Sequence, residues 1–321
     1  MPKILVAQGL TALREAAYRT DAGLSTSDGI EFTEATLTPR DAFDGSRADV
    51  RHGTGGELVP TSRAGRTYDI TLRGELKGRG AAYTTTANVL SEFPLYNIML
   101  GAALSGSVAG GEISVTPVRP DNSGSFTLGF YTSDNLHKVE GCRGSFVVEA
   151  NAGERAFWEF NGQGVIADSY PVSQTLPAIT YATQSGSPPV YTADTPALGN
   201  WTPVIGGYRF EVANDIAPRQ DGGASLGHAG FVLTNRTLNW SFPGESVNLD
   251  TFDPWSTSIS GTTQQLQLDH GSATGNSFQY TLDDASVSAP EDTSDNGKLI
   301  WNLSGRGHID SGNDEITITI K

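Results

Sequence analysis

One cysteine, Cys142, stands in 321 residues, so no disulfide can form within the chain, and stability has to come from packing, strand pairing or association of copies. Cys142 itself reads as a small buried residue. Bases are also scarce: 21 Lys and Arg face 36 Asp and Glu, for a net charge of −15, and no segment gathers them into a stripe. That excludes tight or sequence-reading nucleic-acid binding, which needs clustered cations against phosphate. It leaves an ordinary solubilising surface, or one past which DNA could slide without sticking. No uninterrupted apolar run reaches membrane-spanning length. The opening MPKILVAQGLTALREAAYRT turns polar too early for a secretion signal, so the expectation is a soluble protein used without export and with no membrane partner.

The usual signatures of chemistry are missing too. His52, His137, His228, His270 and His308 never meet a second ligand at metal spacing, which argues against zinc. The acidic stretch Asp292 to Gly297 opens like a calcium loop, but the twelfth position, where a bidentate Glu is required, is Leu303. It reads as a solvated turn. The Gly-Arg-Gly triplets around Arg79 and Arg306 are too short to cradle phosphate, and no helix follows either. Asp283 and Asp284 are neighbours on a strand and point to opposite faces. No Gly-x-Ser-x-Gly elbow occurs. No catalytic residue, metal or cofactor is expected, and the chain is not read as an enzyme.

What is present is a β pattern with a repeat in it. Charged residues make up only 18%, there are 38 glycines, and Thr, Ser, Asn and Asp fill the gaps between short apolar runs, as in strands and turns rather than helices. RTYDITLRGE (Arg66 to Glu75) returns as RTLNWSFPGE (Arg236 to Glu245), and WEFNGQGVI (Trp158 to Ile166) returns, without gaps, as WNLSGRGHI (Trp301 to Ile309). Two matches in the same order argue for a duplicated β unit.

The organisation that follows is an N-terminal segment 1–40, weakly patterned to residue 30; a first β unit 41–166 that starts with a long loop, 41–66; a Pro-, Ser- and Thr-rich linker or arm, 167–206; and a second β unit 207–321. Tyr170, Ile179, Tyr181, Tyr191 and Trp201 make the arm too apolar for a bare spacer, so it is expected to dock. Strands are predicted near 66–75, 112–118, 125–131, 137–149 and 155–161 in the first unit. In the second they fall near 208–212, 231–242, 264–269, 277–283, 298–303 and 315–320. One helix is predicted over Ala87 to Leu104, capped by Thr86 or Ser91, and a shorter one over Leu249 to Ser258.

The stretch GCRGSFVVEANAGERAFWEFNGQG (Gly141 to Gly164) and the end of the chain, from LDHGSATGNSFQYTLDD at Leu268 to NDEITITI at Ile320, resemble the tail tube (major tail) proteins of long-tailed bacteriophages. The likeness covers about half of the chain. It implies a mainly β fold of two tandem tail-tube-like β-sandwich or barrel units, each with a flanking helix, related by internal duplication. It also implies no catalytic residues, and inner strands that join those of neighbours into a barrel around a lumen. Single-unit tube proteins form six-membered rings, so two units per chain imply a homotrimer with pseudo-sixfold symmetry. Loops 41–66 and 167–206 would reach the next ring. The implied partners are other copies of this chain, within and between rings, the tape measure protein, and tail terminator or distal tail proteins. DNA would be a transient, non-specific passenger during ejection, and the location would be the virion tail, with assembly in the host cytoplasm.

If the apolar side of each repeated strand faces the core, the polar side faces the lumen. This assigns Asp69, Thr71, Arg73 and Glu75, the corresponding Asn239, Ser241 and Glu245, and, opposite the two tryptophans, Glu159, Asn161, Asn302 and Ser304. A rival reading is a carbohydrate-binding or adhesive β-sandwich protein of a virion or cell surface, with Trp201, Trp240, Trp255 and Tyr280 as stacking platforms. A glycosidase lacks a convincing carboxylate pair.

Overall fold

The structure, a computed structural model, describes residues 8–43, 64–167, 170–181, 187–192, 194–224 and 227–321. It is mainly β, with 52% of residues in strands and 9% in helices. The strands are β1 (Gln8–Arg14), β2 (Glu34–Phe43), β3 (Ala64–Glu75), β4 (Leu104–Ala109), β5 (Glu112–Pro117), β6 (Phe126–Thr132), β7 (Asn135–Asn151), β8 (Phe157–Ile166) and β9 (Val172–Ser173). They continue with β10 (Ala197–Leu198), β11 (Gly207–Gln220), β12 (His228–Glu245), β13 (Gln264–His270), β14 (Phe278–Ala285), β15 (Glu291–Asp295), β16 (Lys298–Gly307) and β17 (Thr317–Ile320). The helices are α1 (Val89–Glu92), α2 (Leu95–Gly101) and α3 (Pro254–Ser260).

Eight strands lie side by side, all antiparallel, in the order β2, β3, β8, β7, β11, β12, β16, β15. Alternation gives this sheet one apolar face. Tyr68, Ile70 and Leu72 on β3, Trp158 and Phe160 on β8, Phe210 on β11, Trp240 and Phe242 on β12, and Trp301 and Leu303 on β16 are all buried. A second sheet, in the order β10, β13, β14, β17, β5, β4, covers part of that face. Phe210 stacks on Tyr280 of β14 with ring centroids 4.9 Å apart. Beside β8 the cover comes from β6 and its partner β1, with Phe126 edge-on to Phe160 at 5.2 Å.

Hydrogen bonding crosses between the two halves of the chain. β7 pairs with β11, and the hairpin β4–β5 pairs through β5 with the C-terminal β17. Arg143, almost fully buried, donates to the carbonyls of Ser123, Gly124 and Phe231 and lies 4.2 Å over the Tyr18 ring. It thereby ties the β11–β12 ribbon to the first half.

Several local expectations need correction. Residues 8–14 form a regular strand rather than weak structure: Leu10, Thr11 and Ala12 are all buried, so both faces are covered and the polar alternation that marks a half-exposed strand is absent. The single helix over 87–104 is two short helices. Phe93, preceding Pro94, leaves the helical region at φ −136°, ψ 79°, as a residue before proline tends to, and Leu104 already belongs to β4. Neither expected cap functions as one: Ser91 Oγ donates to the Asn88 carbonyl, and Thr86 Oγ1 accepts from the Val108 N–H. The second helix is shifted to Pro254–Ser260, where Asp253 caps it by accepting from the Ser256 N–H at 2.9 Å. The acidic segment 292–297 is no loop but most of β15 with the turn that follows it.

The loop over 41–66 is narrower than expected, since β2 runs to Phe43 and β3 starts at Ala64; residues 44–63 lie outside the described residues. Described parts of 167–206 dock on this same chain. β9 pairs with β7, Tyr181 bridges to Gly29, β10 pairs with β13, and Tyr191 and Trp201 are buried. The buried thiol of Cys142, pushed well up by desolvation, fits the structural role expected of it.

Candidate functional site

The polar side of the eight-stranded sheet is the surface on which the sequence-derived positions meet. The two repeated segment pairs are hydrogen-bonded partners, and in the same register. Gly74 lies opposite Trp158 and Gly244 opposite Trp301; Leu72 faces Phe160 and Phe242 faces Leu303; Asp69 faces Gln163 and Asn239 faces Arg306. Since paired residues share a face, burying Trp158 and Trp301 turns the alternate positions outward. Asp69, Thr71, Arg73 and Glu75 on β3, Glu159 and Asn161 on β8, Asn239, Ser241 and Glu245 on β12, and Asn302 and Ser304 on β16 all lie on that side. None of them is buried.

The same face holds residues that the repeat did not flag: Glu34, Thr36 and Thr38 on β2, Glu149 on β7, Arg209 and Glu211 on β11, and Glu291 and Thr293 on β15. Their strands carry no repeated motif. The alternation in RFEV (209–212) and TLTP (36–39) was the available signal.

Polar side chains knit the face together within and across strands. Thr71 donates to Asn161 at 2.9 Å, Gln163 to Asp69 at 2.8 Å, and Asn161 to Glu159 at 2.5 Å. Glu149 accepts from Arg73 at 2.8 Å on one side and from Arg209 at 2.8 Å on the other, bridging the two halves of the sheet. Arg73 also lies 4.9 Å over the Phe157 ring. Arg40 pairs with Asp69 at 3.6 Å, Arg155 with Glu75 at 2.6 Å, Arg209 also with Glu211 at 3.8 Å, and Lys298 with Glu245. Carboxylates of the face (Glu34, Asp69, Glu75, Glu149, Glu159, Glu211, Glu245, Glu291) outnumber the bases Arg40, Arg73, Arg155, Arg209, Lys298 and Arg306. Five of those bases are held in ion pairs, so the field of the face is acidic.

Elsewhere the chemistry is spare. Asp283 accepts from Gln265 and Asp284 from Thr263, at 2.7 Å each, so the two carboxylates serve different partners. Among the described residues, no three His, Cys, Asp or Glu side chains gather to hold a metal, and no helix is long and apolar enough to cross a membrane. Of the four rings considered as sugar platforms, Trp201, Trp240 and Tyr280 are buried. Trp255 packs edge-on against Trp301 at 5.5 Å.

No protein-family model matches the chain, and no curated protein matches it either.

Proposed function

We propose that this chain is a structural subunit of a phage tail tube, that it is built of two tandem β units related by duplication, and that three copies close into a ring whose polar sheet faces line the lumen. One observation carries this reading. The two repeated strand pairs, in identical register, put their polar positions on a single open face of one continuous sheet. A tube wall needs such a surface, continuous and hydrophilic.

The order of strands supports the duplication. The set β2, β3, β8, β7 is followed, edge to edge, by β11, β12, β16, β15, with β11 standing to β12 as β2 stands to β3. Three copies supply six such sets, the pseudo-sixfold ring that a fused pair of units allows. With strands about 4.8 Å apart and tilted by about 40°, three times eight strands close into a barrel on the order of 45 to 50 Å across, backbone to backbone. An acidic wall repels phosphate, so DNA would keep its counterions and slide. The tape measure protein and the tail terminator or distal tail proteins would be the partners of such a tube in the virion, after assembly in the host cytoplasm.

The carbohydrate-binding alternative is weakened by the burial of its stacking rings. Negative-stain imaging of the purified full-length chain separates the two readings. Rings or stacked tubes are expected; monodisperse monomers that bind sugars would overturn the tube.

A further inference from the structure

The eight-stranded sheet ends on two edges, β2 and β15, and among the described residues each pairs on one side only, β2 with β3 and β15 with β16. Exposed edges of this kind are templates for another strand. The chain also contains, internally, the joint that such edges would make. β7 stands to β8 as β15 stands to β16, because Val148 lies opposite Trp158 and Asp292 opposite Trp301. β11 stands to β12 as β2 stands to β3, because Phe210 lies opposite Trp240 and Leu37 opposite Ile70. And β7 is hydrogen-bonded to β11, with Val148 facing Phe210 and Glu149 facing Arg209.

We infer that β15 of one copy pairs antiparallel with β2 of the next in the register of that internal joint: Glu291 with Thr38, Asp292 with Leu37, Thr293 with Thr36, Ser294 with Ala35, and Asp295 with Glu34. The inference rests on the tube reading and specifies its joint between chains. The register carries the division of faces with it: Thr36 and Thr38 lie on the polar side of the sheet, as do Glu291 and Thr293, and a slip of one residue would set polar side against apolar side. One observation that played no part in deriving the register agrees with it, the placing of proline. Pro39 in β2 and Pro290, just before β15, each lack an N–H, and in this register they fall opposite one another just past the paired segment. A slip of two residues in either direction puts one proline inside the ladder, where it removes a hydrogen bond. Thr293 against Thr36 is a favourable cross-strand pair, and only the terminal pair sets acid against acid.

The test is disulfide trapping in the full-length protein, whose single native thiol is buried. Thr36→Cys combined with Thr293→Cys places the two thiols on directly opposed residues, within the Cα separation a disulfide tolerates, so oxidation of the assembled protein is expected to give covalent dimers and trimers on a non-reducing denaturing gel. Peptide mapping should join positions 36 and 293. Thr38→Cys with Thr293→Cys, two residues out of register, should link about tenfold less. Thr38→Cys with Glu291→Cys repeats the in-register test should the first pair fold poorly. Preferential linking of the out-of-register pair overturns the register. Wild-type rings in which none of the pairs links overturn the β2–β15 joint and leave the tube standing. A wild-type protein that stays monomeric at high concentration overturns both.

Discussion

At the scale of the residue, the repeat makes matched experiments possible. Gly74 and Gly244 hold equivalent positions opposite the two tryptophans, yet their surroundings differ. A Cβ on Gly74 would lie 2.7 Å from the Trp158 ring, whereas one on Gly244 would meet nothing closer than Trp201 at 3.5 Å. Gly74→Ala is expected to cost about 1–3 kcal/mol by overpacking, and Gly244→Ala less than about 1 kcal/mol, read as the shift in urea midpoint; equal effects would refute the packing argument. On the polar face, changing Glu75, Glu159 and Glu245 together to Lys loses only partly exposed ion pairs, each worth little. Assembly should therefore survive while genome ejection slows through new phosphate contacts. Unchanged ejection from fully assembled mutant tails would reject the lumen assignment.

Buried His270 and half-buried His137 supply a pH signature. Burial holds His137 and His270 below the ordinary imidazole value of 6.5, with the Pro189 carbonyl partly opposing this at His270. As pH falls the unfolded chain takes up these protons first. Their contribution to stability is thus whole above pH 6.5 and is lost as pH falls from there through the lower folded values. Glu140 and Asp194 act in the opposite sense. Burial raises both carboxyls, so their contribution is whole at low pH and is lost as pH rises from their ordinary values of 4.5 and 3.8 through the raised ones. The histidine effect is therefore read as a difference. The fall in urea midpoint between pH 7.5 and 5.5 should be smaller in a His137→Gln, His270→Gln double variant than in the wild type.

At the scale of the element, β15 owes its existence to its turn. Asp295 and Lys298 close a two-residue hairpin in which Asn296 has φ 49° and Gly297 φ 82°, the pair of left-handed conformations that Asn-Gly favours and that match strand twist. Gly297→Val would put a β-branched residue at positive φ in open space, at a cost of about 1–3 kcal/mol confined to the hairpin. The expected result is a subunit that melts almost as before in circular dichroism but sediments as a monomer. Normal rings from this variant would show that β15 is not needed for assembly. The helix region carries a related lesson. Val89, Leu90, Phe93, Ile98 and Leu100 are spaced in the sequence as the apolar stripe of one helix, but two short helices separated by a proline present the same stripe.

At the scale of the whole molecule, a ring of fused pairs should contain three chains of 33.9 kDa. Native mass spectrometry of disassembled tubes is expected to find trimers and their dimeric and monomeric fragments. Six full-length chains in a closed ring would end the fused-pair argument while leaving a tube possible. In such a ring the internal joint between β7 and β11 would supply half of the joints within single chains, and only three would have to form between chains.

The chain by itself determined its β class, the apolar and polar sides of the repeated strands, and the outward positions Asp69, Thr71, Arg73 and Glu75, without any packing information, because alternation is a local property that two neighbouring residues already express. Tertiary structure alone decided which strands are neighbours: that β7 meets β11, that the hairpin β4–β5 completes a sheet with the C-terminal β17, and that β2 and β15 are left as edges. It also decided that β1, covered on both faces, is a strand. Those outcomes depend on partners far away in sequence, and a strand's own residues state which face is apolar without stating what lies beside it.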